Sequence, residues 1–95
     1  MDLVALADFN AVARHGGFGR AARATGRPKA TLSRHVTDLE KSLNVRLFER
    51  GTRIPKLTEE GRALHEKSLI LLHELDEIGL SLGSGGGPPT RAPAD

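Results

Sequence analysis

A mainly α chain is predicted, four helices with one short β-hairpin between the third and fourth, and three observations predict it. Between Phe18 and Leu43 the sequence FGRAARATGRPKATLSRHVTDLEKSL holds two short helical patterns hinged at Thr25-Gly26. In the second of them Leu32, Val36, Leu39 and Leu43 recur at steps of four, three and four, a single apolar stripe that has to face a core. From position 57 onward Leu57, Gly61, Leu64, Ser68, Leu71, Leu75, Ile78 and Leu82 alternate steps of four and three, the seam of a helix that pairs with another.

The elements follow in order. Asp2 caps a first helix whose apolar positions are Leu3, Leu6, Phe9, Val12 and Ala13, and Gly16-Gly17 ends it. Phe18 opens a short second helix through the small residues Ala21, Ala22 and Ala24, and Thr25-Gly26-Arg27-Pro28 makes the turn. Pro28 sits where a helix start loses nothing by lacking an amide hydrogen. The third helix buries its stripe, so Ala30, Ser33, Arg34 and Thr37 point away from the core, and Asn44 takes the left-handed conformation that terminates it. Two helices so hinged, the second carrying Lys29, Ser33 and Arg34 on a face without core-sized apolar residues, have the spacing of a helix-turn-helix that inserts its second helix in the DNA major groove.

Arg46-Leu47-Phe48-Glu49, the basic loop Arg50-Gly51-Thr52-Arg53-Ile54 and Pro55-Lys56-Leu57 read as a two-stranded hairpin, with Pro55 confining its strand to an edge. A hairpin with a cationic tip after a recognition helix is the wing of a winged helix-turn-helix, and Arg53 at that tip suits a narrow minor groove. Thr58 is the expected cap of the long helix, with Glu59 and Glu60 in the first turn where the helix dipole favours acids. The organisation expected is a winged helix-turn-helix over 1–58, a dimerisation helix over 59–82 and a flexible Gly/Pro-rich tail or linker over 83–95.

Ninety-five residues make one small domain that gains from a partner chain. A homodimer through Leu64, Leu71, Leu75, Ile78 and Leu82 is therefore expected; Leu69, Ile70, Leu72 and Leu80 add apolar surface that so small a domain covers poorly. The net charge of +2 conceals a polarised chain: from Arg20 to Lys56 ten Lys or Arg face three acids, +7, whereas the rest carries −5. A phosphate backbone selects that distribution, because each neutralised phosphate releases counterions.

Absent cysteine excludes disulfides, thiol redox sensing and thiolate metal sites, and fits a reducing cytoplasm. Met1 leads into Asp2 rather than a basic segment and no apolar run reaches membrane-spanning length, so neither a signal peptide nor a membrane partner is expected. Catalytic chemistry finds no foothold. His65-Glu66 begins a zinc-protease-like pattern, but position 69 is leucine and none of His15, His35, His65 and His73 lies three or four residues from another. Ser33 and His35, two apart on a helix, point in different directions, and Gly83 to Gly87 lacks the Lys-Ser/Thr continuation of a phosphate loop. No enzyme, metal or cofactor is expected. A single-strand or RNA binder would expose aromatics, whereas Phe9, Phe18 and Phe48 all lie in apolar patterns. An alternative that keeps the fold is a winged-helix protein-interaction module pairing through its leucine-rich long helix.

The segments FNAVARHGGFGRAA at 9–22, LSRHVTDLEKSLNVRLFER at 32–50 and LTEEG at 57–61, in this order and without a gap from about Leu6 to Gly61, resemble the N-terminal DNA-binding region of LysR-type transcriptional regulators. The resemblance implies a bacterial, cytoplasmic, nucleoid-associated regulator that binds an inverted-repeat operator in double-stranded DNA as a dimer, tetramerising where a full-length protein provides the surface. It also implies a small-molecule effector acting only through a further domain, so that the chain is either a fragment of a longer regulator or a stand-alone relative.

Position by position, the resemblance places Lys29 where the family has a base-reading glutamine, with Ala30 and Thr31 beside it. Ser33 and Arg34 match its serine-arginine pair on phosphates and base edges, Arg53 its wing arginine, and Arg50 the end of its LFER segment. Phosphate contacts are expected from Arg20, Arg34, Arg50 and Lys56, and base readout from Lys29, Ala30, Thr31 and Ser33. Gly17 and Gly19 stand where serine and threonine are usual, a loss of hydroxyls that Arg20 compensates, and Pro28 stands in place of a capping serine. Lysine instead of glutamine at position 29 changes the readout from adenine toward the O6 and N7 of guanine.

Overall fold

The computed structural model describes residues 2–79 and contains α1 (Leu3–His15), α2 (Phe18–Thr25), α3 (Lys29–Leu43) and α4 (Glu59–Glu77). Local chemistry sets most of the helix ends. The Asp2 side chain accepts from the Val4 amide at 2.9 Å and the Thr58 hydroxyl from the Gly61 amide at 2.9 Å, each satisfying a first-turn donor that has no partner in its helix. Gly16 and Gly26 take left-handed φ values of 78° and 76° and return their amides to Val12 and Ala22. Asn44 ends α3 at φ 56°. Pro28 precedes α3 without a side-chain cap, as Gly17 precedes α2.

Leu6, Phe9 and Val12 of α1, Ala21 of α2, Leu32, Val36 and Leu39 of α3, and Leu47 form one buried cluster. Phe18, Phe48, Leu43, Leu57 and Leu64 close its margin, and the Phe48 ring lies 5.5 Å from that of Phe9 and 5.9 Å from that of Phe18. The central element is α1, which packs against all three other helices. One consequence is that its buried surface exceeds a single stripe: Ala5, Asp8 and Asn10 are buried as well.

The expected hairpin is reduced to one antiparallel bridge, Phe48 with Leu57, flanked by hydrogen bonds from the Glu49 amide to the Lys56 carbonyl (2.7 Å) and from the Thr58 amide to the Leu47 carbonyl (3.0 Å). Gly51, at φ 79°, turns the chain before a further pair can form. Pro55 fixes its own φ near −65°, far from the roughly −140° of an antiparallel strand. The Glu40 carboxylate steadies the base of this loop by accepting from the amides of Leu47 (2.7 Å) and Phe48 (3.3 Å).

The four-three seam of α4 divides in two. Its first part packs on its own domain: Gly61 and Ser68 are buried and Leu64 lies against the core. Its second part does not, since Leu71 is 44% and Ile78 is 71% exposed, with Leu75 half-buried between them. Leu82, Leu80 and the expected tail over 83–95 lie outside the described residues.

Ser68 docks α4 on α1 through a polar chain. The Asn10 amide donates to the Ser68 hydroxyl at 2.8 Å, its carbonyl oxygen lies 2.5 Å from Nδ1 of His65, and the Ser68 hydroxyl donates to the His65 carbonyl at 3.3 Å. Burial holds the His65 pKa below its ordinary 6.5; the nearby Arg14 charge lowers it further and Glu66 acts in opposition. The unfolded chain then binds more protons at this site than the fold does, so the stability that His65 contributes is complete above about pH 6.5 and is lost as pH falls through its lower folded value. Melting temperature is expected to drop as pH falls below about 6.5, and His65→Gln to flatten that part of the profile. An identical slope in the variant would exclude His65 as its source.

Candidate nucleic-acid interface

The stripe that anchors α3 leaves Lys29, Ala30, Ser33, Arg34 and Thr37 exposed, with Thr31 half-buried. Arg20 on α2 and Arg50, Arg53 and Lys56 on the loop after α3 are exposed too. Among the described residues Asp8 forms an ion pair with Arg27, and close acid–imidazole contacts join Asp8 to His35 and Glu77 to His73. None of them engages a cation of this surface, so its positive charge is uncompensated by direct contact.

Three of the expected residues converge. Arg20, Lys29 and Arg53 line one open groove of about 480 Å³ between the start of α2, the start of α3 and the loop. Phe18, Phe48, Ile54 and Pro55 contribute its apolar part, Glu49 is its one acid, and Gly16 and Gly17 border it. Ala30, Thr31, Ser33, Arg34, Arg50 and Lys56 are not part of the lining. Chemically the groove is a recess for a polyanion, with the exposed face of α3 beside it.

Two features escaped sequence reasoning. Arg23 lines the groove as well, and its spacing of three from Arg20 on a short helix is a signal that sequence carries. The second is the cluster of Asp8, Arg27 and His35, which joins α1 to the turn and to α3. No local pattern announces it, because the three residues come from distant positions. Among the described residues no group of His, Cys, Asp or Glu is placed to hold a metal ion, and no helix is long and apolar enough to cross a membrane.

Residues 3–62 match the family described as bacterial regulatory helix-turn-helix protein, lysR family. An HTH-type transcriptional repressor of Pseudomonas aeruginosa is 46% identical over 87 residues, which are 92% of this chain and 27% of the relative. The SDS degradation transcriptional activation protein of a Pseudomonas species is 39% identical over 103 residues, 95% of this chain and 34% of its own length. The chain thus spans about a third or less of these relatives. Among solved structures, the BenM DNA-binding domain in complex with catB site 1 DNA superposes with a TM-score of 0.79 at 34% identity, over 83% of this chain and 88% of that one. A family match across residues 3–62, relatives that are transcriptional regulators and a neighbour solved on DNA agree: this chain belongs to the LysR family and carries its helix-turn-helix DNA-binding domain.

Proposed function

We propose that two copies of this chain, joined through the far half of α4, hold an inverted-repeat operator and thereby regulate transcription on the bacterial nucleoid. The observation that carries this reading is the exposed face of α3, free of ion pairs and flanked by the groove cations Arg20, Lys29 and Arg53, in a family with a member solved on DNA. Within it, Arg20, Arg34, Arg50 and Lys56 set register on phosphates, Lys29, Ala30, Thr31 and Ser33 meet base edges, and Arg53 enters the minor groove. Lys29 selects guanine at its operator position by donating to O6 and N7.

Selection of bound duplexes from a random pool, followed by footprinting, tests the reading. Two half-sites about one helical turn apart are expected, with guanine enrichment that disappears in Lys29→Ala. Arg34→Ala is expected to weaken specific binding by about 1–3 kcal/mol, the range for a base contact, as measured by titration of the selected duplex. Unchanged affinity would remove Arg34 from the interface. Affinity should also fall steeply with added salt, whereas a winged helix acting as a leucine-mediated protein-interaction module would respond little.

A further inference from the structure

Asp8 lies off the apolar stripe of α1 and yet is only 3% exposed. A buried carboxylate is costly unless it is paired, and a guanidinium and an imidazole reach it. Arg27, in the turn between α2 and α3, donates from Nη2 to Oδ2 at 3.0 Å, and its Nε lies 2.8 Å from Oδ1, off the hydrogen-bond axis, as an ion-pair contact. His35, in the second turn of α3, places Nδ1 2.5 Å from the same Oδ2. A single carboxylate of the central helix therefore grips the reading helix at two points: just before its first turn, and one residue beyond Arg34.

Those grips supply what the apolar stripe lacks. Leu32, Val36 and Leu39 hold α3 on α1 by non-directional burial, which tolerates small rotations about the helix axis. Hydrogen bonds to a fixed carboxylate do not tolerate them. Base readout needs side chains held within about 0.5 Å of their productive positions, whereas phosphate contacts fix register and carry no sequence information. Rotation of α3 would hence erode discrimination between sequences before it eroded general affinity for DNA.

We propose that Asp8 is a positioning residue for sequence reading: through Arg27 and His35 it sets the angle at which Lys29 and Ser33 meet base edges, without touching DNA itself. This rests on the DNA-reading role argued above. Arg27, although basic and next to the reading helix, then serves α1 rather than a phosphate.

The test measures affinity for the selected operator and for a scrambled duplex of equal length, each across a salt series, in the whole chain carrying Asp8→Asn, Arg27→Lys or His35→Gln. Arg27→Lys keeps the charge and loses the planar fork. The ratio of specific to non-specific affinity is expected to fall about tenfold or more in Asp8→Asn and Arg27→Lys, and less in His35→Gln, while the salt slope on the scrambled duplex stays at the wild-type value. If Asp8→Asn does not fold, the two partner variants decide the matter, and melting curves accompany each measurement. A lowered melting temperature with an unchanged ratio would make the cluster a mere structural anchor and overturn the proposal. So would an Arg27→Ala variant whose slope falls by about 0.9 per protomer at constant ratio, the mark of a direct phosphate contact. A wild-type chain that prefers no duplex would instead overturn the DNA-reading role itself; a discriminating wild type with equally discriminating variants overturns the role of Asp8 alone.

Discussion

Gly61→Ala is expected to destabilise the fold by about 1–3 kcal/mol, the cost typical of forcing a methyl group into a packed site. Helix propensity points the other way, since alanine in a helix interior is favoured over glycine by roughly 1 kcal/mol. The sign is decided by what a Cβ would meet. At position 61 it would overlap the backbone carbonyl oxygen of Leu47 and lie 3.0 Å from the carbonyl carbon and from Cδ2 of Leu57. The leucine tip can turn aside, but the carbonyl cannot easily do so, because it accepts the Thr58 amide at 3.0 Å and belongs to a residue buried in the core. Retreat of Leu47 would also strain the two amide bonds to Glu40 at the base of the loop. Urea unfolding of wild type and variant measures the difference. A more stable variant would show that α4 can lift from the loop without penalty. Gly61→Val, with two further methyl groups on the same line, is expected to be worse.

That glycine also marks where sequence is legible and where it is not. The caps at Asp2, Thr58 and Asn44 and the stops at Gly16 and Gly26 depend on one side chain, or its absence, acting on a backbone group within a few residues. Such chemistry is written locally. The stripe of α3 is legible for the same reason, as it repeats within one element. Gly61 and Ser68 look like weak points in a leucine seam when α4 is considered alone, and their actual partners, the Leu47 carbonyl and the Asn10 amide, are supplied by distant segments. Asp8 likewise sits off the stripe that one period assigns to the core side of α1, and Asn10 is a polar residue on that stripe, four positions after Leu6 and three before Ala13. They are buried because α1 is enclosed by three helices rather than resting on one. The cationic residues of the interface could be named from composition and order, but their convergence could not: whether Arg20, Lys29 and Arg53 share a groove depends on how the loop folds back after Leu47, and Arg23 joins them by the same geometry. The shortened hairpin belongs here too, because strand propensity from Arg46 to Leu57 is a local signal, whereas the early turn at Gly51 and the single bridge are set by how the loop packs.

Leu71→Glu combined with Ile78→Glu is expected to leave the fold intact, abolish pairing and cost about 10²- to 10⁴-fold in operator affinity. Gly61, Leu64 and Ser68 are engaged by their own domain, so among the described residues the seam left for a partner chain is Leu71, Leu75 and Ile78, with exposed Leu69 and Ile70 at its flank. Leu71 and Ile78 are 44% and 71% exposed within one chain, so charging them removes little of the domain's own packing, and a fall in melting temperature should match what loss of the partner alone accounts for. In a pair of helices the same two changes would set four carboxylates along an apolar seam, where desolvation and like-charge repulsion both oppose association. Loss of the pair then acts on DNA by arithmetic rather than by contact. With one head bound, a linked second head meets its half-site at an effective concentration in the millimolar range, and unlinking forfeits that advantage without altering any residue at the DNA surface. Sedimentation gives the state of the chain, and titration of full and half operators gives the coupling. The variant should bind both duplexes with the affinity of wild type for the half operator alone. A variant that remains a dimer would move the pairing surface off this face of α4, and one that is monomeric yet keeps full operator affinity would show that each head acts alone.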